Sequence, residues 1–319
     1  MPSESPSPRS MPDVAGEIEP HRAGQLEWVG MDGIEVPLLI AGQNGELREV
    51  GARVDAFVNL VHPEARGIHM SRLYRLVDEL LTHEPFSPCS VRKLLHSFLD
   101  SHKQLSSSAR VHIAFDYRVR RPSLVSGLSG WRSYPATVTG EMRNRECQLE
   151  LGVAVSYSST CPCSAALSQQ LVQERFAEDF PPAAKVDREA VLQWLGSAQG
   201  QVATPHAQRS RADVRIGIGS RFDFPLIDLI DLIESALQTP VQAAVKREDE
   251  QVFARLNAEN TMFCEDAARR MRQVLEHDAR VVDFWVRAKH FESLHAHNAV
   301  AVAVKGVAGG YVANDHASA

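Results

Sequence analysis

The chain has 319 residues, 44% hydrophobic and 23% charged, enough for one large core or two ordinary ones. A formal net charge of -6 argues against a nucleic-acid backbone as main partner, and no apolar run reaches the roughly 18 residues of a membrane-spanning helix. The cysteines at 89, 147, 161, 163 and 264 are odd in number and lack a disulfide-framework spacing, and the N-terminus has no signal-peptide pattern; a reducing, cytoplasmic setting is expected.

Residues 1–28 are rich in Pro, Ser, Glu and Gly and read as a loose arm. Ile34–Ile40 reads as an edge strand because it carries Pro37, with a turn over Gln43–Glu46. In Arg48–Val61, Val54, Ala56, Val58 and Leu60 share one face of a strand. Two helices follow, one from Ser71 with Leu73, Leu76, Val77 and Leu80, the other over Ser90–Leu99. The period then returns to two in Val111, Ile113, Phe115 and Tyr117, and again in Tyr134, Ala136 and Val138.

The second half repeats this order. Leu149–Val155 and Ala212–Ile218 read as strands, Pro225–Leu237 and Glu265–His277 as helices, and Val281–Ala288 with Ala299–Val304 as closing strands. An α+β fold is expected: two tandem β-β-α-α-β-β modules, 29–145 and 146–310, with antiparallel sheets and helices on one face. Residues 165–205 interrupt the scheme as a helical insertion, in which Asp187 can cap a helix bearing Val191, Leu192 and Leu195. Residues 311–319 form a tail.

The chemistry-bearing residues lie at the seams of this pattern. Cys161 and Cys163 flank Pro162; on an extended segment both thiols would face the same way, as ligands or as two small buried thiols. His206 precedes Gln208 and Arg209 at a loop-to-strand junction, and Glu250 ends the run Arg247–Glu250, whose charge alone suits a solvated face. Thiolate, imidazole and carboxylate together suit zinc-like metals, and three such ligands leave a fourth position open for catalysis. His295 and His297 would share a face on an extended chain, about two residue rises apart. His69–Arg72 opens a helix, where backbone donors and Arg72 could hold phosphate or simply form an ordinary cap. Glu265 and Asp266 are acids in a first helical turn.

Taken in order, Met11–Val14, Gly67–Arg72, Cys161–Ser164, His206–Ser210, Lys246–Glu250 and Phe291–His295 resemble the type IB GTP cyclohydrolases over nearly the whole chain. The resemblance implies two tunnelling-fold modules per chain, a homotetramer with sites near subunit interfaces, and conversion of GTP to formate and 7,8-dihydroneopterin triphosphate for folate or modified tRNA nucleosides. It implies one divalent metal per site (Zn, Mn or Fe) on Cys161, His206 and Glu250. Cys163 would be a neighbouring thiol able to ligate or donate a proton, and His295 the active-site histidine. Glu265 would hold guanine with support from Glu292, while His69, Arg72 and Arg209 would meet the triphosphate. Three features depart from the family pattern: the long Cys161–His206 connection, Ala207 in place of a frequent Asn, and Cys264 in place of an apolar residue. Two rivals are an NADPH-dependent nitrile reductase of the same fold, which would need a lone covalent cysteine, and a non-catalytic, metal-stabilised purine-binding protein.

Overall fold

The computed structural model describes residues 22–42, 45–182 and 185–314. Most of the expected N-terminal arm, the Met11–Val14 motif, part of the turn after Ala41 and the last five residues of the tail lie outside that set.

The elements run β1 (Leu26–Ala41), β2 (Leu47–Leu60), α1 (Met70–Leu81), α2 (Pro88–Ser101), β3 (Ser108–Pro122), β4 (Ser129–Arg143), β5 (Glu146–Thr160), α3 (Pro162–Asp179), α4 (Arg188–Leu195), β6 (Ala207–Ile218), α5 (Leu226–Leu237), α6 (Arg247–Glu259), α7 (Cys264–Glu276), β7 (Val281–His290) and β8 (Ala299–Val304). The eight strands are hydrogen-bonded in chain order in one antiparallel sheet, where separate sheets were expected from the sequence. Short turns join β1 to β2, β3 to β4 and β4 to β5, as antiparallel pairing permits, while helices fill the connections from β2 to β3, β5 to β6 and β6 to β7. Pro37 sits on edge strand β1, opposite Gly51, where its missing N–H costs nothing to an inner ladder.

The chain divides into two compact units. The first comprises the residues up to Asp116 with Thr137–Glu150 and Arg221–Phe224. Here α1 buries Leu73, Val77 and Leu81, spaced four residues apart, and α2 buries Val91, Leu94, Leu95 and Phe98. Ser87 and Ser90 close a capping box at the start of α2, with Pro88 in the first turn. Gly140 lets α2 lie close on β4, since a Cβ there would come 2.7 Å from Val91 Cγ1.

The second unit comprises Tyr117–Ala136, Leu151–Ser220 and Pro225 onward. Helices α5 and α7 bury Ile230, Ile233, Met271 and Leu275, and the strands bury Ile216, Phe284 and Val286. Helix α6 is the main correction in this unit. The run Arg247–Glu250 is its first turn, and Asp249 is fully buried rather than solvated. Burial opposes ionisation of Asp249, but N–H groups of Lys246, Val125 and Ser126 all donate to it and hold its carboxyl far below the usual range. One charged residue thus caps a helix and fixes the β3–β4 loop.

The insertion is helical as expected, but α3 starts at Pro162, directly after β5. Its C-terminal half is anchored on α4 by an aromatic cluster of Phe176, Phe180 and Trp194, and Trp194 Nε1 donates to Asp179 at 2.8 Å.

Glu234 on α5 accepts the Tyr134 hydroxyl at 2.7 Å and pairs with Arg132 at 2.7 Å and Arg121 at 3.5 Å. All three ion-pair side chains are only 11–13% exposed, and burial followed by the Glu234 charge pushes the Tyr134 hydroxyl up to about 12. Removing Glu234 takes from the nearly buried Arg132 guanidinium the carboxylate it pairs with, while Arg121 keeps Asp231 at 2.6 Å. Glu234→Ala is expected to lose about 3–5 kcal/mol in urea denaturation. Arg75→Ala, which breaks an exposed i,i+4 pair with Glu79, should lose less than about 0.5 kcal/mol. Equal losses would contradict this ranking.

Candidate metal and substrate site

The seam between β5 and β6 positions the first two candidate ligands. Cys161 is the N-cap of α3 in extended conformation, and its N–H donates to the carbonyl of His206 at 3.2 Å. The His206 N–H in turn donates to Ser164 Oγ in the first turn of α3, at 3.0 Å. These two bonds clamp the residue before β6 against the residue after β5, so the backbones of a cysteine and a histidine far apart in sequence meet here. Both residues are half-buried.

Cys163 does not share an extended segment with Cys161. Pro162 starts a helix, which places Cys163, exposed, in the first turn of α3.

The His206 ring is held by residues that sequence reasoning did not single out as site residues. Its Nδ1 lies 3.0 Å from Gln208 Oε1 and 3.5 Å from Ser293 Oγ. Gln208 is buried and its Nε2 donates to Ser159 Oγ at 3.1 Å, which meets Ser210 Oγ at 2.8 Å. The available signal was the period of two: Gln208 and Ser210 follow His206 on the same face of β6.

The Phe291–Asn298 segment leaves β7 as a loop beside this seam. The Phe291 N–H donates to the Arg209 carbonyl at 3.2 Å, and Arg209 is exposed on β6. Glu292 is half-buried, and His295 and His297 are exposed. The two histidines are not on an extended strand: their rings stack with centroids 5.1 Å apart and 14° between planes.

Helix α7 enters from the same end. The Met262 N–H donates to the Thr160 carbonyl at 3.0 Å, which brings the start of α7 to the end of β5. Glu265 is exposed in the first turn of α7; its own N–H and the Cys264 thiol, at 3.2 Å, hold its carboxyl below the usual range. Burial first, then the neighbouring Glu265, pushes the Cys264 thiol up to about 11, so this cysteine is an inert core thiol.

Glu250 is not brought to Cys161 and His206 in one chain. Near the C-terminal end of α6, Asn257 accepts from Ser158 Oγ at 2.6 Å, which fixes that end beside β5. Glu250 lies about 10 Å further along the helix, at 1.5 Å per residue, and is exposed. Among the described residues, no group of three His, Cys, Asp or Glu side chains is arranged to hold a metal. His69 and Arg72 belong to the first unit. There Arg72 Nη1 caps α2 by donating to the Ser101 carbonyl at 2.6 Å, and the His69 ring lies 6.4 Å from that of His102.

Cys161 and His206, bonded through their backbones at strand ends, carry donor types that a borderline divalent metal favours. The family model described as "Type I GTP cyclohydrolase folE2" matches residues 11–301. The chain belongs to that family. It is 50% identical over 301 residues to "GTP cyclohydrolase FolE2" of Hydrogenovibrio crunogenus, covering 94% of this chain and 96% of the relative. It is 49% identical over 302 residues to the protein of the same name from Pseudoalteromonas translucida, covering 94% and 99%. Uricase from Arthrobacter globiformis superposes with a TM-score of 0.53 at 9% identity, covering 94% of this chain and 98% of that one, a likeness of fold alone. No helix among the described residues is long and apolar enough to cross a membrane.

Beneath the site, His290 is buried with Nε2 3.0 Å from the Tyr157 hydroxyl. Burial pushes its pKa down to about 4, while more distant charges of Glu265 and Asp266 oppose the shift only weakly. The unfolded chain therefore binds this proton more readily, and stability falls as pH drops from about 6.5 through about 4. Its full contribution is on the order of 3 kcal/mol. His290→Gln is expected to flatten the pH dependence of the urea midpoint between pH 7 and pH 4.5; an unchanged slope would assign that dependence to other groups.

Proposed function

We propose that the chain is a metal-dependent GTP cyclohydrolase that opens the guanine imidazole ring, releases formate and forms 7,8-dihydroneopterin triphosphate. The observation that carries this reading is the Cys161–His206 pair, clamped beside the Glu265 helix in a member of the type I GTP cyclohydrolase family. The product's place in folate or modified-tRNA synthesis follows from the same reading. So does the division into tandem tunnelling-fold modules, 29–145 and 146–310; the β-β-α-α-β-β order of β1 to β4 supports it, and α6 is an additional helix in the second half.

Cys161 and His206 fit a zinc-, manganese- or iron-class ion as two adjacent donors, with Glu250 as the third ligand. Because Glu250 stands away from the pair in its own chain, the ligand set closes across a subunit boundary of a homotetramer, with Glu250 of a partner subunit. When bound, the cation supplies a Lewis acid that brings the pKa of water from about 15.7 toward about 7.

The chain's own groups bind the substrate and move its protons. The Glu265 carboxylate, kept ionised by its own N–H and the Cys264 thiol, accepts the guanine amino and ring N–H as a bidentate partner, and Glu292 supports that end. Water adds at C8 and the C8–N9 bond breaks as His295, on its exposed loop, gives a proton to N9; Cys163 is the neighbouring donor. A second water cleaves the remaining C8–N7 bond and frees formate. His69, Arg72 and Arg209 meet the triphosphate, Arg72 through guanidinium hydrogens not donated to Ser101.

Metal-loaded protein should release formate from GTP without oxidising NADPH, and His295→Ala should lose at least about a hundredfold in turnover while keeping its assembly. Loss of formate release in fully loaded wild-type protein, or near-normal turnover of the variant, would overturn the assignment. Ligands shared between copies add a second outcome: co-expressed Cys161→Ala and Glu250→Ala chains, each inactive alone, should recover part of the activity in mixed assemblies. No recovery in mixed assemblies would place Glu250 beside Cys161 of its own chain.

A further inference from the structure

The buried polar row beside His206 has more order than packing requires. Gln208 and Ser210 alternate along β6 on the face that meets Ser159 of β5, and all three are buried, Ser159 and Ser210 completely. A buried side-chain amide must place four hydrogen-bonding sites, so one in this position is selected for its partners. Its nitrogen donates to Ser159 Oγ at 3.1 Å, and the Ser159 hydroxyl continues to Ser210 Oγ at 2.8 Å. The amide oxygen is thereby turned to His206 Nδ1, at 3.0 Å.

We infer that Gln208 is a positioning residue that keeps His206 in the Nδ1–H tautomer and aims its Nε2 lone pair at the metal. An amide oxygen can only accept, so the imidazole nitrogen facing it must carry the proton. Ser293 Oγ, at 3.5 Å from the same nitrogen, can accept a share of that hydrogen bond without changing the tautomer. The lone pair then resides on Nε2, the nitrogen turned away from the serine row. Ring orientation is fixed too, because the backbone on either side is clamped: His206 N–H on Ser164 Oγ, and the His206 carbonyl under Cys161 N–H. Hydrogen bonds of this kind behind a ligating histidine typically change metal affinity roughly 10–100-fold.

The inference rests on His206 being a ligand, and its test separates the two ideas. Long-range nitrogen–proton NMR on the full-length protein reads the His206 tautomer directly, and competition with a chelator reads zinc affinity. Gln208→Leu should shift His206 toward the Nε2–H form and weaken zinc binding roughly 10–100-fold. Gln208→Glu keeps an acceptor at that position, so it should retain the Nδ1–H tautomer and stay within about threefold of wild-type affinity. It also serves as the folded control if the leucine variant is unstable. A wild-type His206 in the Nε2–H form, or a folded leucine variant with unchanged zinc affinity, would overturn the role of Gln208. Unchanged zinc affinity in His206→Ala would instead overturn the ligand assignment, while the His206 tautomer in wild type and Gln208→Leu still reports on Gln208.

Discussion

The end of β5 is the point on which the rest of the site depends. Within Ser158–Cys161 the chain gives a hydroxyl to Asn257 of α6, a carbonyl to the Met262 N–H before α7, and an N–H to the carbonyl of His206. Polar groups at the end of a buried strand, backbone and side chain alike, must find partners, and here each partner comes from a different element. The hydrogen-bonding requirement therefore also gathers the candidate site residues: Cys161 follows directly, His206 is pinned opposite, and Glu265 arrives with α7. A strand one residue shorter would leave the same bonds to other residues and the thiol elsewhere.

Around this point the second unit gives up apolar packing for polar order. Ser159, Gln208 and Ser210 are buried beside Tyr157 and His290, where aliphatic side chains would pack as well. A fully satisfied polar row inside a protein is stiff, because each bond is strong in a low-dielectric setting and each loss is costly. The core farther from the site is conventional, with Ile216, Phe284, Val286, Ile230 and Met271 filling the space between β6, β7 and the helices. The contrast marks a region built to hold ring and thiol orientation, resting on a region built for stability.

Much of the architecture was legible in the sequence, because alternation and helical spacing report burial directly. Val54, Ala56, Val58 and Leu60 face the core as their period of two requires, and α2 buries its expected stripe, whereas α1 buries Leu73, Val77 and Leu81 and leaves Leu76 and Leu80 half-buried. Helix α6 was not legible. Its opening Arg247–Glu250 carries no apolar stripe, and the burial of Asp249 depends on the distant Val125–Ser126 loop. The start of α3 was hidden for a related reason: Pro162 reads equally as a turn or as a first helical residue, and only the β5 terminus decides. For the site, residue types and order pointed to Cys161 and His206, but Gln208 looked like any polar strand residue. Its role appears only when Ser159, on another strand, takes its nitrogen.

The central claim is that Cys161 and His206 hold one cation between them. X-ray absorption on zinc-loaded protein measures this most directly. The expected spectrum contains one sulfur at about 2.3 Å together with nitrogen or oxygen scatterers near about 2.0 Å, with imidazole multiple scattering that disappears in His206→Ala. A first shell of oxygen and nitrogen alone, or an imidazole signal that survives that substitution unchanged, would contradict the account.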